Sequence, residues 1–274
     1  MTTWRKVITE PKDGYTNMAI DEAIMIAHRQ GKVPPTIRFY RWQPPALSLG
    51  YFQQAEKEVD LTSCEKKGID VVRRLTGGRA ILHDKELTYS ITVEESAGVL
   101  SSSVVESYKQ ISRGLAAGLQ NLNITAELKP REKQQKAPRG KSSACFDAPS
   151  WYEVVVEGKK LIGSAQTRKK GTILQHGSLP FSLDSKKLFE LFNFTSEKQR
   201  EKMRKFYSLK ATAIDQCCDR NISFGELTAA LARGVTDSLE IELAEAEELS
   251  QHEKKLAKEL KADKYRSKDW NFKR

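Results

Sequence analysis

The chain has 274 residues, and 39% of them are hydrophobic, which is enough to build one sizeable core. No apolar run approaches the roughly 18–20 residues that a membrane span requires. The opening residues MTTWRKVITEPKDG lack the apolar stretch of a signal peptide. The sequence therefore predicts a soluble, cytoplasmic protein that does not bind a membrane.

The basic residues are unevenly distributed. Forty-six basic residues against 36 acidic ones give a net charge of +10, and residues 129–141 and 159–170 carry six and five of the basic residues. Such clusters attract an anionic partner by long-range steering, although each could serve solubility alone. Because no helix-turn-helix, zinc finger or aromatic RNA-binding motif accompanies them, an acidic protein is favoured over nucleic acid.

The cysteines are typical of a reducing compartment. The chain has four cysteines without a C-x-x-C spacing, and four histidines, which together predict no zinc site. Cys64, Cys217 and Cys218 are interpreted as structural residues, because most unpatterned cysteines are small hydrophobes or free thiols.

Taken in chain order, the first predicted element is a helix through MAIDEAIMIAHR, capped by Thr16 or Asn17. Strands are then predicted at TIRFYRW, ALSLGYFQ, residues 69–72 and LTYSITV. A second helix is predicted over residues 104–119, where apolar positions recur at helical spacing.

The second half of the chain changes from strands to helices. The proline-containing residues 129–141 are predicted to form a surface loop, followed by a hairpin of WYEVVV and KLIGSAQTR and a third strand, TILQHGSLPFSL. The remainder, from about Ser185, is predicted to be helical, and apolar residues recur at helical spacing in its segment FGELTAALARGVTDSL. This order predicts an α+β fold with a mixed, mostly antiparallel sheet flanked by helices. We expect one domain over residues 1–274, with its core at about residues 33–248.

A glycine pair lies between arginines and a His-Asp step in VVRRLTGGRAILHDKELTYS, residues 71–90. Glycine permits positive φ and lets the backbone approach a ligand closely. One interpretation is a tight hairpin with its charges in solvent. The other is a turn at a strand end, next to an anionic or carbonyl-bearing ligand.

Cys145 differs from the other cysteines in its surroundings. It lies in a polar segment, KSSACFDAPS, which begins at Lys141 and follows basic residues. Buried cysteines are common, but accessible cysteines in electropositive surroundings tend to be reactive. This context favours a nucleophile at Cys145.

Three segments together, RRLTGGRAILHD, SSACFDAPSWYE and GKKLIGSAQTRKKGTILQHGS, resemble the lipoate–protein ligase and octanoyltransferase superfamily, which shares its catalytic fold with biotin–protein ligases. The resemblance extends from NMAIDEA through RFYRWQPPALSLGYFQ to the final DWNFKR. The S-x-C-F-D-A-P-S-W-Y-E motif at Cys145 is similar to that of the cysteine-dependent octanoyltransferases. These enzymes move octanoyl from acyl-carrier protein to a lipoyl-domain lysine.

The resemblance implies an acyl thioester on Cys145, with Lys160 as the cation that lowers the pKa of the thiol. It also implies that the glycine turn lies along the acyl chain and its carbonyl, and that His83 shapes the site. The remaining residues implied to bind substrate are Arg73, Arg74, Thr76, Gly77, Gly78, Gly163, Ser164, Ala165, His176 and Gly177. Neither a metal nor a cofactor is implied.

The implied donor is octanoyl-acyl-carrier protein, and the implied acceptor is a lipoyl-domain protein such as glycine cleavage H protein. The reaction would be the first step of endogenous lipoate assembly. Lipoate ligases continue the glycine pair with a third glycine, whereas this chain has Arg79, which disfavours an ATP-dependent ligase as the alternative. An enzyme that shuttles octanoyl between two lipoyl domains is a further alternative. A basic nucleic-acid-binding module would leave the cysteine motif unexplained.

Overall fold

The computed structural model describes residues 3–130 and 152–273, in which two β-sheets are flanked by helices. The strands of this part of the chain are β1 (Thr3–Ile8), β2 (Thr36–Tyr40), β3 (Ala46–Leu49), β4 (Asp70–Arg73), β5 (Ile81–His83), β6 (Glu86–Glu94), β7 (Glu127–Pro130), β8 (Tyr152–Val156), β9 (Lys159–Lys169), β10 (Thr172–Pro180) and β11 (Glu242–Glu247).

The larger sheet has eight strands in the order β11-β1-β2-β6-β10-β9-β8-β7, and the smaller has the order β4-β3-β5. In the larger sheet β1 pairs in parallel with β2 and β11, and the other neighbours are antiparallel. The α-helices of the described residues are α1 (Gly14–Arg29), α2 (Ala55–Glu58), α3 (Leu61–Lys66), α4 (Val104–Gln120), α5 (Ser185–Phe189), α6 (Glu197–Lys210), α7 (Phe224–Leu239), α8 (Gln251–Leu260) and α9 (Lys268–Asn271).

The two faces of the larger sheet are covered by different helices, because successive side chains of a strand point to opposite faces. On β2, Ile37 and Phe39 join a core cluster with residues of α4 and α7. Between them, Arg38 points to the other face, where its guanidinium contacts Asn17 and Asp21 of α1. The smaller sheet lies on the α1 side, since Ala46 and Val72 share a cluster with α1. The space between the two sheets is where the candidate site forms.

The structure confirms the predicted fold class, a mixed and mostly antiparallel sheet flanked by helices. The predicted hairpin, its third strand and the helix beginning at Val104 all form. None of the helices in the described ranges has both the length and the apolar character needed to cross a membrane.

Two local predictions were wrong. Helix α1 begins at Gly14, and its N-cap is Asp13, whose carboxylate accepts a hydrogen bond from the backbone N–H of Thr16 at 2.8 Å. The C-terminal remainder is not helical throughout, because β11 adds an edge strand parallel to β1. Pairing of its backbone with β1 outweighs the helix propensity of its alanine and glutamate residues.

Candidate active site

A narrow pocket of about 20 Å³ lies between the two sheets. This volume holds little more than one water molecule, so an acyl chain could enter only if the lining side chains moved apart. The residues of this pocket that the sequence predicted as substrate-binding are Arg74, His83, Gly163, Ser164, Ala165, His176 and Gly177. The tertiary structure therefore brings together residues that are separated by about a hundred positions in the chain.

One wall of the pocket is built from small residues on two paired strands. In the register of β9 and β10, Ser164 lies opposite Gly177, and Ala165 lies opposite His176. A Cβ atom at Gly177 would lie 2.5 Å from both Ser164 Oγ and a ring carbon of Tyr89. Because Gly177 has no side chain, the hydroxyls of Tyr89 and Ser164 can meet at 2.7 Å.

Arg73 and Arg74 are buried, and their guanidinium groups donate to backbone carbonyl oxygens. Arg73 donates to Gly50, Tyr51 and Gln53, and to Trp270 and Asn271 of α9. Arg74 donates to Ser48, Gly77 and Arg79. The first arginine thus ties the C-terminal helix to the start of the glycine turn, and the second holds the shape of the turn.

The two glycines of the turn have different surroundings. Gly78 has a φ of +90°, a conformation that favours glycine. Its carbonyl oxygen packs against Gly50, and a Cβ atom added to Gly50 would lie 1.9 Å from that oxygen. At Gly77, by contrast, an added Cβ would meet no atom of the described residues within 4 Å. Packing against Gly50 therefore fixes the position of the Gly78 backbone. Beside Gly77, the described residues leave open space.

Thr76 connects the turn to the sheet through His176. The hydroxyl of Thr76 lies 2.7 Å from Nε2 of His176, whose Nδ1 lies 3.4 Å from the carboxylate of Asp21. Burial lowers the pKa of His176, although the Asp21 carboxylate opposes this shift. Burial alone would raise the pKa of Asp21, but the charge of Arg38 and the hydrogen bonds from His176 and Tyr40 hold it below its usual range. The imidazole is therefore neutral next to an ionised carboxylate at neutral pH.

His83 is held by contacts on every side. Its Nδ1 lies 2.7 Å from Oε1 of the buried Glu86, and its Nε2 lies 2.8 Å from Oγ of Ser48. The ring stacks on Trp42 with a centroid distance of 4.0 Å. These contacts leave His83 one orientation in the pocket wall.

Lys160 lies on β9, three residues before the pocket-lining Gly163, and its side chain is 3% exposed. Its Nζ atom is 3.1 Å from Oε1 of Glu153 on β8. The register of β8 and β9 shifts between Val154 and Val155, next to this pair. Irregularities of this kind redirect side chains and occur often beside active sites.

Cys145 lies outside the described residues, as do most of residues 129–141. Glu153, the last residue of the cysteine motif, is described, and it pairs with Lys160. The second basic segment, residues 159–170, is largely β9. Its Arg168 binds Glu95 and the carbonyl oxygens of Ser101 and Ser102.

Comparison with known proteins identifies the family. Residues 13–236 match the lipoyl protein ligase A/B catalytic domain. The chain is 48% identical to octanoyltransferase LipM of Brevibacillus brevis, with all of both chains covered, and 45% identical to octanoyltransferase LipM of Bacillus subtilis, with 99% of both covered. The chain belongs to this family of octanoyltransferases.

Solved structures agree with this assignment. The bipartite lipoate protein ligase of Thermoplasma acidophilum superposes with a TM-score of 0.82 at 26% identity, covering 99% of this chain and 97% of that one. A lipoate-protein ligase A bound with ATP superposes with a TM-score of 0.77 at 26% identity, covering 98% of each chain. The octanoyltransferase and these ligases share one catalytic fold.

Cys64 and Cys217 of the octanoyltransferase are poor candidates for a nucleophile. Cys64 is buried, and burial raises the pKa of its thiol to about 12. Burial also raises the pKa of Cys217. Because the thiolate is the reactive form of cysteine, Cys64 is almost entirely unreactive at neutral pH.

Sequence reasoning missed much of the apolar side of the octanoyltransferase pocket. This side includes Met18, Tyr40, Trp42 and Ile81. The first three fall in NMAIDEA and RFYRWQ, segments that carried the family resemblance but were assigned no role. Asp21, which holds His176, lies in the same NMAIDEA segment. The available signal was an acidic residue at helical spacing from the apolar Met18, Ile24 and Met25, because a carboxylate on a buried face rarely lacks a partner.

Proposed function

We propose that this octanoyltransferase moves octanoyl from octanoyl-acyl-carrier protein to a specific lysine of a lipoyl-dependent protein, such as glycine cleavage H protein. In the first step the thiolate of Cys145 attacks the octanoyl carbonyl, and the thiolate of the donor leaves. In the second step the neutral amine of the acceptor lysine attacks the new thioester. The amide forms, the Cys145 thiolate leaves, and the amine releases a proton. A thioester is already activated, so neither step needs ATP.

The observation that carries this proposal is the 3.1 Å contact between Lys160 and Glu153. It joins the last residue of the cysteine motif to a cation on β9, the strand that lines the pocket with Gly163, Ser164 and Ala165. In this proposal Lys160 is the cation that serves the thiol of Cys145, as the family resemblance implies. A nearby ammonium stabilises a thiolate and so raises its fraction at neutral pH.

The pocket supplies the acyl site in this proposal. Met18, Trp42 and Ile81 offer apolar surface to the hydrocarbon chain, and the pocket would widen from its volume of about 20 Å³ to admit it. The open space beside Gly77 would let the turn approach the thioester carbonyl, where backbone N–H groups could stabilise the oxyanion.

Intact mass spectrometry tests the mechanism directly. After incubation with octanoyl-acyl-carrier protein in the absence of ATP, the enzyme should gain one octanoyl group that hydroxylamine removes. Cys145→Ala should abolish both the adduct and transfer to H protein, with an unchanged circular dichroism spectrum. The matched control Cys218→Ala should retain both. Transfer that persists in Cys145→Ala would exclude the covalent mechanism, and dependence on ATP would favour a ligase.

A further inference from the structure

A second cavity adjoins the acyl pocket. It is an open groove of about 590 Å³, and Ile81 and Ser178 line both this groove and the pocket. Ile81 belongs to β5 of the small sheet, and Ser178 belongs to β10 of the large sheet. Ser178 donates its hydroxyl hydrogen to Glu86, which also lines the groove. The two cavities are therefore neighbours that share a wall of two side chains.

The groove is on the Lys160 side of the pocket. Ser178 lies opposite Gly163 on β9, which places the shared wall three residues from Lys160 along the strand. Tyr207 of α6 lines the groove, and the next turn of the chain reaches β9, where the N–H of Thr212 donates to the carbonyl oxygen of Lys160 at 3.0 Å. The end of the acyl pocket that is nearer to Lys160 is therefore the end that borders the groove.

The groove offers two lysines to an anionic guest. Its three carboxylates have partners, since Asp84 pairs with Lys187 at 2.7 Å, Asp184 caps α5, and the buried Glu86 contacts His83 and Ser178. Lys85 and Lys186 are exposed on the lining, and neither forms an ion pair within residues 3–130 and 152–273. Ser182 and Ser185 add hydroxyls to the lining, while Pro180, Leu183 and Leu188 add apolar surface.

We propose that this groove binds the phosphopantetheine arm of the acyl-carrier protein that donates octanoyl. The inference rests on the proposed function, because it names the donor surface of the same site. The arm is a linear chain with an apolar dimethyl segment, two amides and a terminal phosphodiester. Leu183 and Leu188 match the apolar segment, Ser182 and Ser185 match the amides, and Lys85 and Lys186 match the phosphodiester. The lysine side chain of an acceptor has no phosphate for these cations to bind.

Two small donors test whether the groove binds the phosphate. Octanoyl-4′-phosphopantetheine and octanoyl-pantetheine differ only in that group, and transfer to H protein is measured with each. We expect the double variant Lys85→Glu/Lys186→Glu to raise KM for the phosphorylated donor and for octanoyl-acyl-carrier protein roughly tenfold, with KM for octanoyl-pantetheine unchanged. The control variant Lys198→Glu/Lys202→Glu has the same change in net charge, made on exposed residues of α6 outside the groove. It should leave KM for every donor unchanged.

Three results would overturn the inference. The first is an equal KM of the groove and control variants for the phosphorylated donor. The second is an equal rise in KM for both small donors. The third is a raised KM for H protein while acylation of Cys145 is unchanged. The last result would assign the groove to the acceptor. The wild-type adduct formed on Cys145 from octanoyl-acyl-carrier protein is measured in parallel. If that adduct is absent, the proposed function fails; if it is present without a groove effect, only this inference fails.

Discussion

The hydroxyl of Thr76 and Nε2 of His176 lie 2.7 Å apart, and this contact attaches the glycine turn to strand β10. The other ring nitrogen faces the ionised carboxylate of Asp21, so the ring proton is on Nδ1. Nε2 must then accept, and Thr76 donates to it. The same Thr76 oxygen accepts from Nε of Arg74 at 3.1 Å. Each group in this buried series of hydrogen bonds has one consistent role as donor or acceptor.

Replacing Thr76 tests whether the hydrogen bonds that join Arg74, Thr76, His176 and Asp21 stabilise the fold. Thr76→Val keeps the shape but leaves Nε2 of His176 without its donor, and we expect it to lower the free energy of unfolding by about 1–3 kcal/mol. Thr76→Ser retains the hydroxyl and should lose less than about 1 kcal/mol. Urea denaturation of the three proteins measures both differences. Equal stability of the valine and serine variants would contradict this role.

The protonation of His176 should affect stability as pH falls. Burial holds its pKa in the folded protein below the unfolded value of about 6.5. The stability that neutral His176 contributes is therefore fully present above about pH 6.5, and it is lost as the pH falls through the pKa of the folded protein. NMR titration of the imidazole should show a midpoint below that of an unstructured histidine. His176→Gln should also lose less stability between pH 7.5 and pH 5.5 than the wild type. A midpoint at or above the unfolded value would refute the assignment.

Two glycine substitutions should separate packing from ligand approach. Gly50→Ala places a Cβ 1.9 Å from the carbonyl oxygen of Gly78, and we expect it to destabilise the protein by about 3 kcal/mol or more. Gly77→Ala meets no described atom within 4 Å and should leave the unfolding free energy within about 1 kcal/mol of wild type. If the turn approaches the acyl carbonyl, Gly77→Ala should still slow acylation of Cys145. Wild-type acylation in this variant would mean that the carbonyl lies elsewhere.

Lys160 and Lys159 are neighbours on β9 and form a matched pair for testing thiol activation. Lys160→Gln removes a buried cation, so we expect the pH dependence of Cys145 alkylation to move upward by roughly one unit, or about 1.4 kcal/mol. Lys159→Gln makes the same charge change at a more exposed position and should leave the profile in place. Iodoacetamide labelling followed by peptide mass spectrometry measures both. Identical profiles for the two variants would rule out activation by Lys160.

Sequence alone predicted the elements whose patterns are local. The repeat of apolar residues predicted α7 from its first residue to its last, and the alternating residues of β2 predicted a strand. The family motifs likewise led to the residues of the pocket and to the octanoyltransferase family. These signals depend on neighbours within a few turns or on a continuous motif, and both are present in the chain before it folds.

Only the tertiary structure decided which of these residues meet. Strand β11 forms because β1, more than 230 residues earlier, is available to pair with it. Arg73 and Arg74 could have pointed to solvent or to a ligand, and the fold turns their donors onto backbone carbonyls. Asp21, Thr76 and His176 come from three separate segments and form one chain of contacts only after α1, the glycine turn and β10 pack together. The physical reason is that a polar group's partner is set by long-range packing, which a local sequence pattern does not contain.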